Sequence, residues 1–425
     1  MKKTLVLILL LLSRLTLADD YLQIHFEVTK DSDQPYPLLV TLGGTWLEME
    51  TLDRRVRHNF KTRKSLVATK EAVEEFSLYS DIGFRVAELQ NRIQISEALS
   101  KAGVESPSTA SELVKLENLF GLETANAPDP QWNETDDAWE LSTGDEQLMS
   151  ISKKGEGLSS EEATQLARFV RYYSGGHPDG LKKLVETEQI PSTLTLIQRP
   201  VAGERKLTFQ LAGKETIHEI PEFPKKTPPQ TRLEELLLKT DALTIKEIAD
   251  RHILVEQQAL EHLEKKEFLK ATLQFLEATL NTGQPISEDF EANREEILGE
   301  ARVSILLKAL KPREKSKVDA SIKILESLKE EAGDSAHVLT VFQGSLLLGA
   351  DRSEEAREKL FQALEQHPSI SSAWKDLGES YYQEYLTAES WKCWDMGRTL
   401  SPENSHYKNI QRLEKLLEAT YPEFF

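Results

Sequence analysis

At 425 residues the chain is long enough for two or three domains, and its formal charge of −19 argues against a nucleic-acid partner, because phosphate contacts need concentrated positive charge. Its single cysteine, Cys393, excludes an internal disulfide. In chain order, Lys2 and Lys3 precede an apolar run from Leu5 to Leu12, and Thr16, Leu17 and Ala18 stand where a signal peptidase reads small residues. This pattern predicts a bacterial-type secretory signal peptide over 1–18, cut after Ala18. The run is too short to span a bilayer, so the mature chain is expected to be periplasmic or secreted, with no transmembrane segment.

Residues 19–122 read as an α+β domain. Leu22, Ile24, Phe26 and Val28 alternate with polar residues, and Leu38 to Met49 is a second β-prone run broken by Gly43 and Gly44, which together suggest a hairpin-like strand pair. From Ser65 to Phe120 the apolar spacing becomes helical, as in Val73, Phe76, Leu78, Ile82, Val86, Leu89 and Ile93. The stretch 123–158 is rich in acidic residues, Gly, Ser and Pro, and reads as a flexible linker. Residues 159–220 form a small α+β segment. A helix from Ser160 to Tyr173 ends at Gly175 and Gly176, and a short helix follows at Asp179–Glu188. Strands at Thr193–Gln198, Lys206–Leu211 and Thr216–Ile220 come next, with turns at Pro200–Glu204 and Ala212–Glu215. Whether 19–122 and 159–220 share one sheet is left open by the sequence. Pro221, Pro224, Pro228 and Pro229 mark a second, proline-rich linker over 221–231.

Residues 232–425 carry an internal repeat. Gly344 and Gly378 stand 34 residues apart, as do Pro368 and Pro402. The series Gly344, Leu347, Ala356, Leu360, Ala363 matches Gly378, Tyr381, Ser390, Trp394, Gly397 position for position. Small residues let two helices approach closely, and the large ones fill the space beside them. The pattern resembles the tetratricopeptide repeat, a helix pair of this length that stacks into a solenoid. Weaker copies are placed at Ala259 with Ala271, Phe275 and Ala278, and at Ala320, Ile324 and Ser327, the latter preceded by one long helix from Ser287 to Leu310. A cap follows, with Ile410, Leu413, Leu416 and Leu417 turned inward and Arg412, Glu414 and Lys415 turned outward. The fold class expected is an α+β N-terminal region followed by an all-α helical solenoid.

The resemblance implies a concave face lined by Val338, Val341, Ser345 and Leu348 in one repeat and Ser372, Lys375, Glu379 and Tyr382 in the next. Elsewhere, Arg54, Arg55, Arg57, Lys61, Arg63 and Lys64 form a candidate anion-binding patch, weighed against an ordinary solvated surface. Gly43 and Gly44 beside Trp46 could border a pocket or mark a strand irregularity. Ser174 to Gly180, with His177, could hold an anion, or could be a helix stop, a turn and the N-cap Asp179 of the next helix. Catalytic motifs are missing: His218 and Glu219 begin the zinc-protease string HExxH, but position 222 is Glu. No cofactor or metal is predicted. These readings favour a non-enzymatic adaptor that docks a protein or peptide in its repeat groove. The alternative is a cell-envelope hydrolase with its catalytic region in 19–220 and repeats that recruit substrate.

Overall fold

The computed structural model describes residues 20–102, 109–124, 126–200, 203–220, 222–225, 228–243, 245–311 and 314–425, so the predicted signal peptide lies outside the described residues. The chain divides into two compact units. A sheet unit holds the described residues up to Leu78, Arg85–Thr227 and Tyr421–Phe425, and a helical unit holds Tyr79–Phe84 and Pro228–Thr420.

Six strands open the sheet unit: β1 (Tyr21–Lys30), β2 (Tyr36–Leu42), β3 (Trp46–Glu50), β4 (Arg54–Asn59), β5 (Lys64–Thr69) and β6 (Val73–Ser77). Helices α1 (Leu78–Lys101) and α2 (Thr109–Phe120) follow, then β7 (Gln131–Glu134), β8 (Ala138–Thr143), β9 (Glu146–Ser152) and β10 (Gly155–Gly157). Next come α3 (Ser160–Ser174), α4 (Pro178–Glu186), β11 (Gln189–Pro191), β12 (Thr193–Gln198) and β13 (Arg205–Ile217). Eleven strands make one antiparallel sheet in the order β6-β5-β4-β3-β2-β1-β13-β12-β9-β8-β7, and β10 pairs with β11. The open question about 19–122 and 159–220 is answered by β1 and β13, which pair directly, with Val28 opposite Phe209.

Alternation explains β1: Ile24, Phe26 and Val28 are buried on one face. Helix α3 supplies Phe169, which stacks on Phe26 and meets Phe209 edge-on, with ring centroids 6.0 and 5.9 Å away. A capping box from Ser159 and Glu162 starts that helix. Residues Tyr421–Phe425 close this core. Phe424 is buried edge-on against Tyr172, whose hydroxyl donates to the Phe424 carbonyl at 2.8 Å. Arg168 Nε donates to the Glu423 carbonyl at 3.1 Å.

Three expectations for this region are corrected. The stretch 123–158 is not a flexible linker: it carries β7 to β10, because Leu141, Leu148, Met149 and Ile151 are fully buried between the acidic residues. Residues 65–77 are strands β5 and β6 rather than helix, paired through Val67 with Glu74 and Ala68 with Val73. The turn at Ala212–Glu215 is absent. Strand β13 runs through it, and the register against β1 skips Ala212 between Leu211 and Gly213, as a bulge that takes up one extra residue.

The helical unit contains α5 (Arg232–Asp241), α6 (Ile245–Glu264), α7 (Phe268–Thr282), α8 (Glu288–Ala292), α9 (Arg294–Gly299), α10 (Ala301–Ala309), α11 (Val318–Ser327) and α12 (Lys329–Ala332). After these come α13 (Ala336–Gly349), α14 (Ser353–Gln366), α15 (Ser371–Tyr382), α16 (Thr387–Leu400) and α17 (Lys408–Thr420). Helix α6 packs on α7, α13 on α14 and α15 on α16. The long helix expected over 287–310 is broken into α8, α9 and α10. Asn293 leaves helical geometry at φ −106° and ψ 12°, and extended Glu300 caps α10 by accepting from the Val303 amide at 2.7 Å. The cap is also corrected. Leu416 is 61% exposed, whereas Glu414 is buried and accepts from Trp391 Nε1 at 3.0 Å and from Arg398 Nη1 at 2.7 Å. Among the described residues, no helix is long and apolar enough to cross a membrane.

Candidate functional site

Close helix packing sets the frame of the site. A Cβ on Gly344 would come within 2.7 Å of Leu360 Cγ, and one on Gly378 would enter the Trp394 indole and lie 2.9 Å from the Ser390 carbonyl. Trp374 Nε1 donates to the Pro368 carbonyl at 2.8 Å and Trp394 Nε1 to the Lys375 carbonyl at 3.1 Å, so both buried indoles are satisfied. The turn Ser405–Tyr407 is tied down by Tyr407, whose hydroxyl donates to the Ser371 carbonyl at 2.7 Å. Asn404 caps that turn by accepting from the His406 amide at 2.9 Å and donates to Ser371 Oγ at 3.1 Å. Ser372 Oγ and His406 Nδ1 are hydrogen-bonded at 2.7 Å.

These fixed elements border a cleft of about 700 Å³. Its lining is apolar at Leu280, Leu310, Phe342 and Leu346 and polar at Ser345, Ser372, Lys375, Asp376, His406, Lys408 and Arg412. Lys375 is 3.5 Å from both Asp376 and Glu379, and Asp376 also accepts from Ser345 Oγ. Burial pushes the His406 imidazole below its ordinary value, opposed by Asp376 and aided by Lys375. Lys408 and Arg412 are exposed and make no ion pair among the described residues, so the uncompensated charge of the cleft is positive.

Of the eight residues predicted to line a groove, Ser345, Ser372 and Lys375 do so. Val338 and Val341 are fully buried in the main apolar cluster, and Leu348 packs with Leu347 and Ala356. Tyr382 joins the Trp391 and Trp394 rings at 6.0 and 5.5 Å, and Glu379 reaches the cleft only through Lys375. The face that does line the cleft is Phe342, Ser345 and Leu346, a spacing of three and four that a helical wheel centred on Ser345 would have revealed. Lys408 and Arg412 carry the same signal on the cap helix, one turn apart.

The basic patch is tied up within the sheet unit. Arg55 and Arg57 converge on buried Glu48, at 2.8 and 2.6 Å, and their guanidinium groups lie 5.2 Å from the Phe223 ring. Arg63 sits over Phe425 at 5.1 Å, and Lys64 is 3.9 Å from Glu75. Arg54 lies on β4, and Lys61 is exposed in the turn before β5. Gly43 and Gly44 border a second cleft, of about 510 Å³, with Trp46, Tyr21 and Gln165. His177 itself, rather than Asp179, is the N-cap of α4: its Nδ1 accepts from the Asp179 amide at 3.2 Å, and its Nε2 meets Glu117 Oε2 at 3.0 Å. Both side chains are buried, so this pair fixes the turn. Gly175 and Gly176 there adopt φ of 76° and 98°, which favours glycine. Cys393 is buried, and burial pushes its thiol well above the ordinary value, leaving it unreactive.

Among the described residues, one group could hold a metal ion: Glu277, His337 and His367. Burial, His337 and Arg251 push the His367 imidazole down to about 4, so it is neutral at pH 7. No local motif announces these residues, since they are contributed by three separate stretches of chain. No protein-family model matches the chain, and a search of curated proteins finds no relative.

Proposed function

We propose that the protein is an exported, non-enzymatic adaptor whose tetratricopeptide-like helix pairs hold a peptide segment of a protein partner. The observation that carries this reading is the cleft between Phe342, Leu346 and the Lys408–Arg412 turn. A lining that combines apolar side chains with two uncompensated cations suits a segment that carries apolar and acidic side chains together. In a chain of formal charge −19, such a positive cleft would select its ligand against a repelling background. The predicted signal peptide places this adaptor in the periplasm or outside the cell.

The reading is tested with labelled peptides that combine apolar and acidic residues, and with the same peptides carrying lysine in place of each acid. Fluorescence anisotropy with the full chain should show binding of the acidic set only. Lys408→Glu with Arg412→Glu should weaken it at least tenfold while stability changes by no more than about 0.5 kcal/mol, as expected at exposed positions. Equal binding by the double variant, or no binding of either set, would remove the cleft from consideration.

A further inference from the structure

We propose that Glu277, His337 and His367 form a binding site for a first-row divalent metal ion such as zinc, which enters by displacing Arg251. Glu277 lies on α7, His337 in the first turn of α13, and His367 at the C-terminal end of α14. One donor atom from each falls within 4.8 Å of the other two. Two imidazoles and a carboxylate are a ligand set that zinc and its neighbours accept, with one position left for a further ligand.

The polar atoms around this point are arranged for a cation. His337 Nδ1 lies 2.9 Å from the Asp334 carbonyl and can only donate to it, which turns Nε2 of the same ring toward Glu277. That Nε2 lies 2.9 Å from Glu277 Oε2. Both atoms are buried, and neither makes a hydrogen bond among the described residues. Buried polar atoms left without a hydrogen bond are costly, and a cation beside both would satisfy them together. The Asp334 carbonyl is the outer partner that fixes the His337 ring, while Arg251 Nη2 donates to the other Glu277 oxygen at 2.8 Å. The same Nη2 lies 3.2 Å from His367 Nδ1, so the guanidinium holds the third corner that an ion would take. Arg251 is partly exposed, with a quarter of its side chain open to solvent, and can swing outward.

The test uses the full chain and cobalt(II) as the probe, with zinc in competition. Wild-type protein should bind one equivalent and develop visible ligand-field bands that zinc abolishes. His367→Gln, a change at a half-buried position, should keep the helical circular dichroism and weaken binding at least tenfold. Arg251→Met should bind at least tenfold more tightly, because it removes the competing cation. Absence of bands in both the wild type and Arg251→Met would overturn the proposal. So would bands that persist unchanged in His367→Gln, which would assign the ion to other histidines.

Discussion

The two units are built from contacts of opposite range. In the sheet unit, β1 pairs with β13, so Tyr21 stands opposite Ile217 and almost the whole length of the unit must be in place before its centre exists. In the helical unit the main packing partners are successive helices, α13 on α14 and α15 on α16. Long-range pairing must close a large loop before any contact rewards it, whereas stacked helix pairs add up step by step. The sheet unit is therefore expected to melt as a whole, and the helical unit to loosen from the damaged pair outward.

The sharpest way to break this comparison is to empty each core in turn. Phe209→Ala and Trp394→Ala should each cost about 3 to 5 kcal/mol, as large buried aromatics usually do. Hydrogen exchange should then rise across the entire sheet for the first variant, but mainly in α15, α16 and α17 for the second. Uniform loss of protection in the helical unit would show that its pairs are not independent. A smaller effect is expected from Gly378→Ala, where the added methyl meets the Trp394 indole: overpacking of this kind costs about 1 to 3 kcal/mol, read from denaturant midpoints. A neutral result would mean that α15 and α16 can separate without penalty.

The last test is one of pH and concerns His58. Burial, with Arg85 and Arg54 adding to it, pushes this imidazole down to about 3, and it stacks on Tyr172 at 4.2 Å. The folded state therefore binds the proton less readily than the unfolded chain. Its contribution is fully present above about pH 6.5 and is lost as pH falls toward 3, by no more than about 1.4 kcal/mol per pH unit for a single site. His58→Gln should flatten that part of the pH profile of the sheet unit's melting temperature. A profile as steep as the wild type would assign the acid sensitivity to other groups.

The same difference in range explains what could be read from the chain. The 34-residue spacing of Gly344 and Gly378 reports contacts made within one helix pair, so it located α13 to α16 without any partner in view. Strand β1 was legible because a single face of Ile24, Phe26 and Val28 is buried. Strands β8 and β9 were hidden because their acidic composition outweighed the few residues, Leu141, Leu148, Met149 and Ile151, that the fold buries, in part under helix α4 at Gly180. Glu414 was misplaced for a related reason: a charge on a cap helix is ordinarily solvated, and only the positions of Trp391 and Arg398 show why this one is inside. In the cleft, helical spacing gave the correct helices but the wrong stripe for Val338, Val341 and Leu348, since which side faces a neighbour depends on how the pairs stack.

The burial of Phe424 against Tyr172 also has a meaning in time. A chain is made from its first residue onward, and Tyr421–Phe425 are added only after all of Pro228–Thr420. At ordinary rates of synthesis that interval is roughly 10 to 40 s. Throughout it, the sheet unit has every strand but lacks the ring that fills its core beside Tyr172, while Arg168 and Arg171 wait for the Glu423 carbonyl and carboxylate. The nascent protein thus carries an unfinished β domain through the whole production of its helical half, and a holding chaperone that recognises exposed aromatic surface would have that window in which to act.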